Sequence, residues 1–147
     1  MGVGVFTKGE GSLTFIIPHD QYVPDEEQEA ILEGDHDLAV IRFEETYDTI
    51  MSTLPDSFEP EDEWDGRYTR IIARNGFVNV GLTEWECNDL YISFWPRDDD
   101  DRYDWGINPL AYKAMVSAHD KCRARLGELY NLRIRTSGYT TGAVTAA

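Results

Sequence analysis

The sequence predicts an α+β fold: an antiparallel sheet built from a hairpin, a three-stranded meander and a short C-terminal strand, with two main helices packed on one face. Three observations predict it. Several short runs alternate apolar and polar residues and are broken by Gly or Asn turn signals. Two longer segments repeat apolar residues at steps of three and four. Along the chain these runs follow the order β-β, α, β-β-β, α, β, which suits antiparallel neighbours rather than parallel crossovers.

The first hairpin is expected around Gly9-Glu10-Gly11, with Leu13, Phe15 and Ile17 alternating along its second strand. A short acidic helix follows near residues 24–33, with Pro24 as its first helical residue and Gly34 at its C-terminal cap. In residues 35–55, Val40, Phe43, Tyr47, Ile50 and Leu54 define the buried stripe of a longer helix that ends before Pro55. Asn75-Gly76 is the pair a two-residue type I′ turn prefers, so Arg74 is expected opposite Phe77, and Ile71 opposite Val80. That register puts Thr69, Ile71, Ala73, Val78, Val80 and Leu82 on one core face, and Ile72 on the other. Residues 86–89 form a second turn, and Leu90, Ile92 and Phe94 continue the alternation. Asn108 caps a last helix that begins at Pro109, with Tyr112, Met115, His119, Cys122, Leu126 and Leu129 inward. Residues 132–136 make the final strand. A single domain is expected over residues 1–136, and a flexible tail over 137–147.

At 147 residues the chain can bury a full core, and its 41% hydrophobic content excludes a disordered protein. Two cysteines, Cys87 and Cys122, are too few for a disulfide framework. The opening residues lack the basic and apolar pattern of a secretory leader, and no apolar run is long enough to span a membrane. The expected location is the cytoplasm. The net charge of −15 makes nucleic acid and anionic membranes poor direct partners, because contact would bring like charges together.

That charge is unevenly distributed. Residues 1–106 hold 26 acidic against 7 basic residues, whereas residues 107–147 hold 2 against 6. The acids gather in three runs, at 24–37, 56–66 and 94–106, each with Pro or Gly punctuation that predicts loops, turns and helix ends.

No motif for a specific chemistry is present. A calcium loop with Gly106 at its sixth position would need acids where Tyr103 and Trp105 stand. His119 and Cys122 face the same way on one helix, but structural zinc wants four ligands and no second pair exists. There is no nucleophile elbow and no phosphate-binding glycine loop. No cofactor is expected. A small enzyme with a carboxylate-rich or metal-dependent site stands as one alternative, and a structural or assembly protein with a merely solvated acidic surface as another.

The reading that uses the charge is a docking surface. Asp56, Glu59, Glu61, Asp62, Glu63, Trp64 and Asp65 form one candidate patch, with Phe58 beside it. Asp98, Asp99, Asp100, Asp101, Tyr103, Asp104 and Trp105 form another. Aromatics among dense carboxylates suit a basic protein partner, and charge of one sign steers a partner of the other. A nucleic-acid-binding enzyme or complex owns such a basic channel, and a rigid surface carrying carboxylates at comparable density would occupy it. The expected function is therefore an inhibitor acting by DNA mimicry, analogous in size and charge to phage and plasmid proteins that disable restriction or CRISPR machinery. Lys113, Lys121, Arg123, Arg125, Arg133 and Arg135 either neutralise the protein's own acids internally or meet the acidic face of a second copy, which would make a homodimer through the basic C-terminal helix.

Overall fold

A computed structural model describes residues 12–64, 69–85, 88–97 and 109–135 of the chain. Its elements run β1 (Leu13–Ile17), α1 (His19–Tyr22), α2 (Asp25–Leu32), α3 (His36–Thr53), β2 (Glu59–Trp64), β3 (Arg70–Arg74), β4 (Val78–Trp85), β5 (Asp89–Pro96), α4 (Pro109–Gly127) and β6 (Arg133–Arg135). The fold is α+β, with one antiparallel sheet in the order β2-β3-β4-β5-β1-β6. β1 threads between β5 and β6, pairing Phe15 with Ile92 on one side and with Ile134 on the other. The expected first hairpin strand and its glycine turn, the cap Asn108 and the tail lie outside the described residues.

One face of the sheet carries the core. Phe15, Ile17, Val78, Val80, Leu82, Leu90, Ile92 and Phe94 are buried there, and they meet Ile50 and Leu54 of α3 and Met115, Cys122 and Leu126 of α4. Both long helices therefore cover the same face, as the alternation in the strands requires. α4 buries Ala111, Met115, Ala118, His119, Cys122 and Leu126, a stripe at steps of three and four. It stops at Gly127, so Leu129 falls beyond the helix and is exposed rather than inward.

The β3–β4 hairpin departs from expectation. Arg74 pairs with Asn79, Ala73 with Val80 and Ile71 with Gly81, across a four-residue connection. Asn75 explains it. Its side-chain oxygen accepts from the backbone N–H groups of Phe77 and Val78, each at 2.8 Å, and its own N–H donates to the Val78 carbonyl. That local capture by a carboxamide replaces the tight turn, and neither Asn75 nor Gly76 takes a positive φ. The register shifts between Ile71 and Ala73, which turns Ile72 into the core. Ile71 and Thr69 are correspondingly on the opposite face. There Gly81 leaves room for Trp95, whose Cζ3 would stand 2.5 Å from a Cβ at that glycine.

The acidic runs are the second departure. Residues 59–64, expected as loop, form the edge strand β2. Arg70 and Arg74 of β3 reach across to Asp62 and Glu63 at 2.8 and 3.2 Å, so pairing and charge overcome a sequence with little β propensity. Run 24–37 forms α2 and the start of α3. Pro24 is the residue before α2 rather than its first, and Gly34, with φ of +105°, terminates it as expected.

At the far end of the sheet, α1 is pinned to the β4–β5 turn. The His19 N–H donates to Asp89 at 2.8 Å, and the Tyr22 hydroxyl donates to the Asn88 carbonyl at 2.5 Å. Arg133 of β6 pairs with the same Asp89. Burial, and then the charges of Glu84 and Asp89, hold the Tyr22 phenol well above its ordinary pKa, so it stays a donor.

Candidate acidic docking surface

β2 presents its carboxylates as an edge strand would, on both sides and at the rim. Asp56, Glu59, Asp62 and Glu63 are exposed, Glu61 is half-buried, and Trp64 is 63% exposed with no core to enter. Asp62 and Glu63 each hold one arginine. Asp56, Glu59 and Glu61 have no ion pair among the described residues. Asp65, Asp98, Asp99, Asp100, Asp101, Tyr103, Asp104 and Trp105 lie outside the described residues.

A second acidic surface was not among the candidate residues. Residues 19–54 hold eleven carboxylates and one arginine, Arg42. α2 buries no side chain at all, and α3 buries only Thr46, Ile50 and Thr53, all in its second half. The outward side of α2 shows Asp25, Glu26, Glu29, Leu32 and Glu33. Along α3, Asp37, Ile41, Glu44 and Asp48 recur at helical spacing on the side away from Ile50, bordered by Val40 and Glu45. Val40, expected in the buried stripe, is 51% exposed; the stripe begins only at Phe43. The signal in the sequence was the apolar pair Val40-Ile41 set between acids at steps of three and four.

Arg42 is the clasp of this helical pair. Its Nε and Nη2 donate to the two oxygens of Glu27, both at 2.6 Å, and its Nη1 reaches Glu45 at 3.0 Å. The hydrogen bonds from Arg42 hold the Glu27 carboxyl below the usual carboxylate range. Asp35 caps α3 by accepting from the Leu38 N–H.

The two acidic surfaces meet at Arg70. This side chain pairs with Asp62 of β2 while its guanidinium carbon sits 5.3 Å from the ring centre of Tyr47 of α3. The outward edge of β2 and the flank of α3 thus border one residue. Asp25, Glu26, Glu27 and Asp37, in the first turns, suit the helix dipoles, but other acids are placed against local stability. Neither α2 nor α3 has a basic residue in its last turn, and Glu29 and Glu33 sit where the α2 dipole disfavours negative charge. Glu29–Glu33 and Glu44–Asp48 repel at a spacing of four.

The groups that would serve covalent or metal chemistry are placed differently. Cys122 is fully buried, its thiol 3.0 Å from the Thr53 hydroxyl, and burial pushes it up to about 11. His119 lies edge-on between the rings of Phe15 and Phe94. Among the described residues, no group of three or more His, Cys, Asp or Glu side chains is placed to hold a metal, and no helix is long and apolar enough to cross a membrane. A groove of about 730 Å³ runs between the C-terminal half of α4 and β6, lined by Asp120, Arg123, Gly127, Tyr130, Leu132 and Ile134.

The chain matches no protein-family model, no curated protein and no solved structure.

Proposed function

We propose that this protein binds and occupies the basic surface of another protein, of the kind that otherwise holds nucleic acid, and so inhibits it. A restriction or CRISPR complex is the specific form of target suggested by size and charge. The observation that supports the reading is the continuity of β2 with α3 at Arg70 and of α3 with α2 at Arg42, with most of their carboxylates exposed and unpaired among the described residues. Carboxylates that repel one another and oppose a helix dipole lower the stability of the free protein. A cationic partner reverses both effects, and release of counterions adds to the gain. The described basic residues, other than those paired above, lie mostly on α4, which packs beside α3 and not among the carboxylates of α2 and β2.

The test is recovery of partners from a host lysate at rising salt, followed by competition with duplex DNA. Capture that weakens steeply with salt, of a basic protein that DNA displaces, is the expected result. Capture that is indifferent to salt and to DNA defeats the proposal.

A further inference from the structure

Resting on that reading, we infer that the outward face of α2 and the first half of α3 seats a basic amphipathic helix of the partner. Charge alone does not account for this face. Leu32, Val40 and Ile41 are 73%, 51% and 49% exposed, although Ile31, Leu38, Ala39 and Phe43 beside them are half-buried. These three side chains are apolar area that the fold itself does not cover and that something else can. The bidentate Arg42–Glu27 pair holds α2 against α3, so the surface is preformed.

The occupant follows from the pattern. Phosphate chains and flat arginine-rich channels offer nothing to Leu32, Val40 or Ile41. A helix that carries leucine-like residues beside Lys and Arg supplies both features: leucine-like residues for Val40 and Ile41, and cations for Asp37, Glu44 and Asp48, which lie between them on α3. Residues 37 to 48 span about 16 Å, which accommodates roughly three turns of such a helix. Basic recognition helices of nucleic-acid-binding proteins have this shape and sign.

The probe is a synthetic peptide of about 18 residues, with leucine on one helical face and lysine on the rest. Its control keeps every lysine and replaces leucine with serine. Titration calorimetry in physiological salt should give the leucine peptide at least about tenfold higher affinity than the control, with a gain in peptide helicity on binding. The double substitution V40S/I41S should erase that advantage, leaving the residual affinity for the control peptide and the melting temperature unchanged. E59Q/D62N on β2 removes two of the docking carboxylates and should weaken both peptides alike, leaving the ratio of their affinities unaltered. Equal affinity for the two peptides, or loss of that ratio through the β2 variant instead, overturns the helix seat while leaving acidic docking intact. If neither peptide binds, the acidic-docking reading falls with it.

Discussion

Arg70 stands between two acidic elements: its Nε donates to Asp62 of β2 at 2.8 Å, and its guanidinium lies over the ring of Tyr47 of α3 at 5.3 Å from the centroid. The arrangement joins an edge strand to a helix that the sheet pairing does not otherwise connect. The Asp62 side chain is 71% exposed, so the ion pair itself is screened and contributes little. The cation–π contact, on a half-buried tyrosine, contributes more, at about 0.5–1 kcal/mol. A double-mutant cycle between Arg70→Met and Tyr47→Leu, read by denaturant unfolding, should give a coupling of that size; the cycle with Asp62→Asn should give less. A reversed order would mean that the strand, not the helix, is what Arg70 secures.

The placement of acids makes a second, opposed pair of expectations. Replacing Glu29, Glu33, Glu44 and Asp48 by Gln or Asn removes like-charge repulsion and the conflict with the α2 dipole. The melting temperature should rise by a few degrees. Association with a basic partner should weaken at the same time, chiefly by slower association. Calorimetry and surface-binding kinetics on the same quadruple variant check both. A merely solvated acidic surface predicts the first change without the second, so a variant that gains stability and loses no binding would favour that alternative.

What could be seen in advance differs by element. α4 is plain in the sequence, because its inward residues repeat at helical spacing from Ala111 to Leu126 and Pro109 marks its start. Gly34 is equally plain, since a positive φ after a helix asks for glycine. β2 is not. Nothing in EPEDEW suggests a strand; its pairing with β3 and the two arginines facing it there make it one. The hairpin turn is ambiguous because Asn75 has two uses, positive φ or side-chain capture of N–H groups, and the sequence does not say which prevails. That choice, with the bulge at Ile71–Ala73, moves Ile72 to the core. Of the candidate site, the 56–64 patch is legible from charge density. The α2–α3 face is obscured because Val40 fits a buried stripe by period, and period cannot tell whether a sheet lies underneath.

His119 supplies a pH dependence with a fixed sign. It is 7% exposed between two phenylalanine rings, and burial holds its pKa below the ordinary 6.5, with Arg123 adding slightly and the Asp120 contact working the other way. The unfolded chain therefore takes up a proton below pH 6.5 that the native protein declines. Stability from this residue is complete above pH 6.5 and is lost as pH falls, by at most about 1.4 kcal/mol per pH unit, until the native-state pKa is reached. Urea midpoints measured from about pH 7.5 to about pH 5 should show this loss, and His119→Gln should flatten it. Asp120→Asn should steepen it, since the carboxylate that favours the imidazolium is then gone. A profile unchanged by His119→Gln would place the pH sensitivity elsewhere.

Gly81 gives the most local prediction. A Cβ there would stand 2.4 Å from Thr69 Cγ2 and 2.5 and 2.6 Å from Trp95 Cζ3 and Cη2. Its backbone is ordinary strand, so the requirement is space and not conformation: an aromatic from β5 lies across the glycine of β4 and shields that stretch of the sheet's outer face. Thr69 is in turn held by a 2.9 Å hydrogen bond to the Thr83 hydroxyl, so it cannot simply swing away. Gly81→Ala should destabilise the protein by about 1–3 kcal/mol through overpacking. Trp95→Leu should also destabilise it, by exposing the backbone that the ring covers. The double variant should cost less than the sum, because leucine vacates the space the new methyl needs. Strict additivity in chemical denaturation would mean that the ring relocates on its own, and that the close approach of Trp95 to Gly81 is not what keeps the position empty.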